Sequence, residues 1–211
     1  MFVITADQVD SRHDVDRADA AVRSLETTFG DDLVLPVDQT AGDEIQAVTP
    51  SASTALAMVG ALARSGHWSI GLGIGSVRTP LPDAARKATG PAFIGARDAV
   101  EAAKRAESRF ALRAPDAAER ATIIEPLVSM LLLTRARRSE QGWEVTDLMR
   151  AGHSQKDAAG ILGISAAAVS QRLRAALWRV EDDARSSLEH LLAELDAEAS
   201  PATRNGTDPT E

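Results

Sequence analysis

Residues 154–174 have the sequence SQKDAAGILGISAAAVSQRLR, and this stretch decides the fold that we expect for the C-terminal part of the chain. Ser154 can cap a helix from Gln155 to Leu162, and Ser165 can cap a second helix from Ala166 to at least Leu177. Between them, Gly163 supplies the left-handed residue that a tight turn between helices needs. Two helices joined by three or four residues with a glycine are typical of the helix-turn-helix geometry. A helical hairpin in a small bundle is the alternative interpretation.

A helix-turn-helix places its second helix in the major groove, so the same stretch predicts double-stranded DNA as a partner. Gln171 can pair with adenine, and an alanine methyl can meet a thymine methyl. The arginines and Lys156 are suited to phosphates, as is the basic run Arg135-Ala136-Arg137-Arg138. The residues that we expect at the DNA are Lys156, Ser165, Ala167, Ala168, Ser170, Gln171, Arg172 and Arg174.

This segment resembles the helix-turn-helix of sigma-factor region 4 and of LuxR-type and MarR-type regulators. The resemblance covers about 35 residues and is carried by Leu162-Gly163-Ile164-Ser165 and Val169-Ser170-Gln171-Arg172-Leu173. It implies DNA binding but no particular operator.

Charge is distributed unevenly along the 211 residues, whose formal net charge is −8. Residues 1–114 carry 12 basic and 15 acidic side chains, residues 115–180 carry 9 and 7, and residues 181–211 carry 2 and 9. Within the middle block, residues 135–179 hold eight basic and four acidic side chains. A basic island before an acidic tail fits nucleic-acid contact better than the total charge does. A solvated helix face is the alternative interpretation of the charge alone.

Composition excludes several classes of site. The chain has no cysteine, which excludes disulfides, thiolate metal sites and cysteine nucleophiles. Its four histidines lack the spacing of an HExxH-type zinc site. No apolar run approaches the 18 residues of a membrane span, and Met1 to Asp7 lack the basic region of a secretory signal. We therefore expect a cytoplasmic protein without membrane contact.

The first 114 residues alternate short β-branched runs with helix-spaced apolar positions, which predicts the order β-α-β-β-α-β followed by a further helix and strand. We expect an α+β fold, with a ferredoxin-like, palm-type βαββαβ N-terminal domain followed by an all-α helix-turn-helix domain. The helices of the first domain are expected on one side of its sheet. Gly71, Gly73 and Gly75 recur with period two, which predicts close packing of a helix on one face of their strand.

The expected domain boundaries follow from these patterns. Residues 1–114 form the α/β domain, 115–142 a linking and dimerisation helix, 143–198 the helix-turn-helix domain, and 199–211 a disordered tail. The apolar stripe from Ile123 to Leu132 offers a contact for a homodimer, since helix-turn-helix proteins usually dimerise to match two half-sites. Pro126 lies inside that stripe and is expected to kink or restart the helix.

Two aspartates of the first domain point to a metal. Asp7 follows the first strand, and Asp43 lies in the hairpin that a split βαβ sheet places beside it. Two carboxylates at one sheet end suit Mg²⁺, which favours oxygen ligands and nucleotide phosphates. Ser11, Arg12 and the amides after Asp7 are suited to the phosphates. A polar hairpin turn and a strand-end aspartate are the alternative interpretation.

A second resemblance covers about residues 1–113. Its motifs are Ile4-Thr5-Ala6-Asp7-Gln8-Val9-Asp10-Ser11-Arg12, Thr40-Ala41-Gly42-Asp43-Glu44-Ile45-Gln46, Gly71-Leu72-Gly73-Ile74-Gly75 and Gly90-Pro91-Ala92-Phe93-Ile94-Gly95-Ala96-Arg97. They occur in the order seen in SatD-like proteins, and they are similar to the palm domain of class III nucleotidyl cyclases and GGDEF enzymes. The resemblance implies that Asp7 and Asp43 hold the metal and that Ser11, Arg12, Gln39 and Arg97 contact a nucleotide.

The sequence also departs from the cyclase pattern. The lysine that selects adenine falls at Gln39, the loop glycine after the first metal aspartate is Asp10, and the transition-state asparagine has no counterpart near Ile94-Gly95. Loss of a polarising group lowers a rate by about 10²–10³-fold. We therefore expect a DNA-binding regulator with a nucleotide-sensing and Mg²⁺-sensing domain rather than an enzyme. The alternatives are a nucleotidyl cyclase or transferase regulated by its helical domain, and a protein–protein adaptor.

Overall fold

The structure, a computed structural model, describes residues 1–11, 14–40 and 42–200. These residues form an α+β fold with one five-stranded mixed sheet and eight α-helices. The strands are β1 (Phe2–Gln8), β2 (Leu35–Gln39), β3 (Glu44–Thr49), β4 (Trp68–Ile74) and β5 (Phe110–Arg113). The helices are α1 (Ala18–Phe29), α2 (Ala52–Ser65), α3 (Pro91–Ala103), α4 (Ala118–Ala136), α5 (Glu140–Arg150), α6 (Gln155–Leu162), α7 (Ala166–Ala175) and α8 (Trp178–Ala199).

The sheet has the strand order β2-β3-β1-β4-β5. The central strand β1 is antiparallel to both neighbours, whereas β5 runs parallel to β4 at the sheet edge. Asp7 lies within β1, opposite Glu44 of β3 and Ser69 of β4, and not after the strand as expected.

Helices pack on both faces of this sheet, so the expectation that they lie on one side is wrong. On one face, Phe2 and Ile4 of β1 belong to a core with α2, α4 and α8. On the other face, Val3 packs against Ala92 and Ala96 of α3. The physical reason is the extra strand, because α3 carries the chain from β4 to the parallel β5 across the second face.

The close packing expected from the glycines of β4 is confirmed. A Cβ added at Gly73 would lie 2.0 Å from the carbonyl oxygen of Ala92, and one at Gly71 would lie 2.3 Å from the backbone nitrogen of Val100. Both positions therefore admit only glycine while α3 stays where it is.

Helix α4 occupies the segment expected to be a linker, and it belongs to the main core. Its residues Ile124, Val128 and Leu132 are buried together with Leu188 and Leu192 of α8. Pro126 is accommodated inside this one helix. The expected dimerisation stripe is thus largely buried within its own chain, and its members Ile123, Leu127 and Met130 remain exposed.

The helices α5, α6 and α7 build a second, smaller core from Val145, Ala158, Val169 and Leu173. Helix α7 ends at Ala175, two residues before the expected end, because Leu177 adopts a left-handed backbone conformation with φ of 55° before α8 begins. No helix of the described residues has the length and apolarity needed to cross a membrane. Residues 201–211 of the expected disordered tail lie outside the described residues.

Candidate nucleic-acid interface and charged clusters

The corner between α6 and α7 is defined by local hydrogen bonds. The Oγ of Ser154 accepts from the backbone nitrogen of Asp157 at 3.2 Å, and the Asp157 carboxylate accepts from the Ser154 nitrogen at 3.1 Å. The Ser154 hydroxyl also lowers the pKa of the Asp157 carboxyl through its hydrogen bond. Gly163 ends α6 at φ 64° and ψ 31°, and the Ser165 Oγ accepts from the Ala168 nitrogen at 3.1 Å to begin α7. Both helices therefore begin at a serine cap, and α6 ends at a left-handed glycine.

The residues expected at DNA divide into two groups. The exposed group is Lys156, Ser165, Ala167, Gln171 and Arg174, and the half-buried group is Ala168, Ser170 and Arg172. Arg172 donates from Nη1 to Glu144 of α5 at 3.0 Å, which ties its guanidinium to the neighbouring helix. The face of α7 that carries Ala167, Gln171 and Arg174 is left open by its own chain.

Two arginines that we assigned to phosphates are buried, which corrects that assignment. Arg135 is 9% exposed, and the Arg138 side chain is 1% exposed. Both bind Glu181 inside the protein, so neither can reach a phosphate of a DNA backbone at the surface. Arg137, between them in sequence, is exposed and keeps that role.

Glu181 of α8 is the centre of a buried charged cluster that the sequence analysis missed. Its side chain is 1% exposed, and the carboxylate accepts from Nε and Nη2 of Arg135 at 2.9 and 2.7 Å and from Arg138 and Arg150. Burial acts to raise the pKa of Glu181, but the charge of Arg135 and the arginine hydrogen bonds outweigh it, so this pKa lies below its ordinary value. Three arginines around one carboxylate leave an excess of positive charge.

Sequence carried a signal for this cluster. Glu181 lies seven residues before Leu188, in the same helical register as the buried residues Leu192, Leu195 and Ala199. A carboxylate in an apolar register of a long helix predicts a buried charge with a partner.

Trp143 of α5 lies beside this cluster and carries cations on its ring. The guanidinium carbon of Arg64 is 4.0 Å from the ring centroid, and those of Arg138 and Arg150 are 4.5 and 5.8 Å away. Such contacts are attractive because the ring face is electron-rich. Arg64 belongs to α2, so the cluster joins the helical part to the part that carries the sheet.

The acidic end of the sheet is organised by a lysine. The Asp7 Oδ2 lies 2.5 Å from Nζ of Lys104, just after α3, and this hydrogen bond raises the pKa of Lys104. Glu101 lies 2.7 Å from the same nitrogen, and Asp43 contributes its carbonyl oxygen to the Gln8 nitrogen at 3.3 Å. Among the described residues, no group of three or more histidine, aspartate or glutamate side chains is arranged to hold a metal.

The residues expected at a nucleotide lie on different elements. The Gln39 amide donates to the carbonyl of Gly42 in the β2–β3 hairpin, and Arg97 is exposed on α3. Strands β3 and β1 separate β2 from β4, over which α3 packs. Ser11 is half-buried near the end of β1, and Arg12 lies outside the described residues.

Comparison with protein-family models, with curated proteins and with solved structures finds no match to this chain.

Proposed function

We propose that the protein is a DNA-binding transcriptional regulator that contacts the major groove with α7. The observation that carries this proposal is the open face of α7, which presents Ala167, Gln171 and Arg174 from a capped helix joined to α6 through Gly163. These side chains offer a methyl group, an amide and a guanidinium, which together can contact base edges and phosphates. We infer a helix-turn-helix from the three-residue connection between the helices.

The exposed basic residues set the expected strength of the phosphate contacts. Arg137, Lys156, Arg174 and Arg179 are exposed, whereas Arg135, Arg138 and Arg150 are committed to Glu181. With four phosphate contacts per chain, the logarithm of the binding constant should fall with the logarithm of salt concentration with a slope of about −3 to −4.

The test is fluorescence anisotropy on a labelled duplex selected from a random-sequence pool with the full chain. Gln171→Ala is expected to relax preference at one base pair, at a cost of about 1–3 kcal/mol on the selected duplex. Arg174→Gln should weaken binding to all duplexes alike and flatten the salt slope by about one. Arg23→Gln, on the remote helix α1, is the matched control and should change neither.

Binding that does not depend on salt, or that Arg174→Gln and Lys156→Gln leave unchanged, would refute the regulator. The open face of α7 would then belong to an adaptor that contacts another protein.

We also propose that two copies bind together. The exposed residues Ile123, Leu127 and Met130 follow each other at helical spacing on α4 and form one apolar stripe. A two-fold arrangement would present two α7 helices to half-sites about 34 Å apart. Analytical ultracentrifugation should show that the parent chain is a dimer and that Leu127→Lys is a monomer. A monomeric parent chain would refute the proposed dimer.

For the first domain we propose a ferredoxin-like, palm-type topology that senses Mg²⁺ and a nucleotide through Asp7 and Asp43. In its favour, the order β2-β3-β1-β4 with β1 antiparallel to its neighbours is that of a split βαβ sheet. The observation against catalysis is Lys104, which already neutralises Asp7.

A nucleotidyl cyclase or transferase is the alternative function for this domain. Incubation with ATP or GTP and Mg²⁺ distinguishes the two, because a product whose formation is abolished by Asp7→Ala or Asp43→Ala would establish an enzyme.

A further inference from the structure

A cleft of about 800 Å³ lies between α2 on one side and α5 and α8 on the other. One end of it is lined by Arg64, Arg135, Trp143 and Arg150, and the other end by Asp182, Arg185 and Glu189. The rest of the lining is mixed, with apolar side chains such as Phe29, Leu56 and Met149 and polar ones such as Ser53 and Thr54. The two ends differ in charge, and that difference indicates what the cleft binds.

The Trp143 end carries two positive charges in excess. Four arginines (64, 135, 138 and 150) stand against two carboxylates, Asp147 and Glu181. In the rest of the lining, Arg185 is matched by Asp182 at 3.1 Å and Glu189 at 2.6 Å. Asp32 also lines the cleft, so this part is negative by two charges.

Water screens the charges of Arg135 and Arg138 only weakly, since both side chains are almost fully buried, whereas the side chains of Arg64 and Arg150 are open to a ligand. Burial lowers the pKa of Arg150, and the charge of Arg135 lowers it further, as expected where like charges gather. Gly60 lets the Arg135 guanidinium lie against the backbone of α2, because a Cβ at this position would be 2.4 Å from Nη1 of Arg135. The backbone of α2 thus leaves space for a guanidinium at the cleft wall.

We propose that this end of the cleft binds the dianionic phosphate group of a small molecule through Arg64 and Arg150, with the buried charge of Arg135 behind them. Two excess positive charges match a dianion, and forked guanidinium donors suit phosphate oxygens. Arg64 and Arg150 now hold the half-exposed carboxylate of Asp147, at 2.9 and 3.8 Å, and a phosphate would replace that carboxylate. The phosphate is either free or part of a larger molecule whose organic portion rests on the apolar wall.

Binding is measured on the full chain by tryptophan fluorescence and by melting temperature, with inorganic phosphate as the probe. Trp143 and Trp178 line the cleft, so its occupation should change their emission in a saturable way. Sodium chloride at matched ionic strength separates binding from screening. A response to phosphate no larger than the response to chloride would overturn the proposal.

Three variants of single residues give effects of different sign. Arg64→Gln should weaken phosphate binding by about tenfold or more, because it removes a charged hydrogen-bond donor. Asp147→Asn should tighten binding, because it removes the carboxylate that competes for Arg64 and Arg150. Arg185→Gln, at the other end of the same cleft, is the matched control and should leave the affinity unchanged. Equal losses in all three variants would indicate a general effect on folding and would refute the assignment.

A parallel titration with adenosine monophosphate identifies the source of the phosphate. Tighter binding than inorganic phosphate would place an organic group on the apolar wall, and equal binding would make the phosphate group itself the ligand. In either case, Arg64→Gln should weaken the binding of the ligand and Asp147→Asn should tighten it. Binding that neither variant changes would count against the site.

Helix α5 connects this cleft to α7, since Trp143, Asp147 and Arg150 face the cleft while Glu144 holds Arg172. Control of DNA affinity by phosphate rests on the proposed function, and the anisotropy assay with and without saturating phosphate tests it. If the chain binds phosphate but not DNA, the phosphate site is supported and only the proposed regulator function is refuted.

Discussion

Two charged clusters of this protein have opposite excess charge and different depth. At the end of the sheet, Asp7 and Glu101 share Lys104, whose side chain is 38% exposed. Between α4, α5 and α8, Glu181 is shared by three arginines, and its side chain is 1% exposed. The first cluster is an acidic pair on a lysine in contact with solvent, and the second is a carboxylate enclosed by cations.

Depth determines what each cluster does for the fold. An exposed ion pair contributes about 0–1 kcal/mol, because water solvates both partners when they separate. Removing one partner of a buried pair costs about 3–5 kcal/mol, because the remaining charge is left without compensation. We infer that the Glu181 cluster fixes the position of the helical part on the sheet, whereas the Lys104 cluster is free to exchange partners.

Glu181→Gln should have the largest effect. The change leaves the two buried arginines, Arg135 and Arg138, without a counter-charge, and we expect a loss of about 3–5 kcal/mol in the free energy of unfolding. Urea denaturation measures it. Glu189→Gln is the matched control on the same helix, where the carboxylate meets the more exposed Arg185, and should cost less than about 1 kcal/mol. Equal losses in the free energy of unfolding for the two variants would show that burial does not make the Glu181 cluster more important for stability.

Gly60→Ala tests whether the buried cluster needs its close contact with α2. The added methyl would meet Arg135 Nη1 at 2.4 Å, and we expect a loss of about 1–3 kcal/mol from the forced shift. Gly160→Ala is the control, since no atom lies within 4 Å of its added Cβ and alanine favours a helix by about 1 kcal/mol. In urea denaturation, the free energy of unfolding should fall for Gly60→Ala and rise for Gly160→Ala. A stabilised Gly60→Ala variant would show that the guanidinium moves away freely.

Acid should unfold the protein partly through Glu181. Because the folded state lowers the pKa of Glu181, its contribution is fully present above the ordinary value of 4.5 and is lost as pH falls through the lower folded value. Urea midpoints measured from pH 6 downward should fall more steeply for the parent chain than for Glu181→Gln. Parallel curves would show that another group carries the acid sensitivity.

Sequence predicts the parts of this fold that local chemistry decides. Helix α6 has the expected bounds, Gln155–Leu162, because its serine cap and Gly163 are signals within the segment. The strands and helices of the first 114 residues occur in the expected order, since short β-branched runs and helix-spaced apolar positions are signals within each segment. Periodicity predicts that Ile124 and Val128 are buried, but it does not show which element they pack against. We expected α4 at a dimer contact, whereas these two residues lie in the main core of their own chain.

Charged partners are harder to predict because they are distant in sequence. Arg135 and Glu181 are 46 residues apart, and nothing local to either one identifies the other. The basic run at 135–138 was therefore expected at phosphates, although two of its three arginines are buried. The same limit applies to Asp7 and Lys104, because the side of the sheet on which α3 packs decides that pair.

Lys104→Met has the smallest expected effect and tests the proposed metal site. The lost ion pair is exposed, so the free energy of unfolding should change by less than about 1 kcal/mol. Without the ammonium, Asp7 and the neighbouring carboxylates are free to take a divalent cation, and Mg²⁺ should raise the melting temperature at lower concentration than in the parent chain. Asp43→Asn in the Lys104→Met background should abolish that response if both aspartates hold the metal. If Mg²⁺ leaves the melting temperature of every variant unchanged, the cluster binds no metal and is only a surface ion pair.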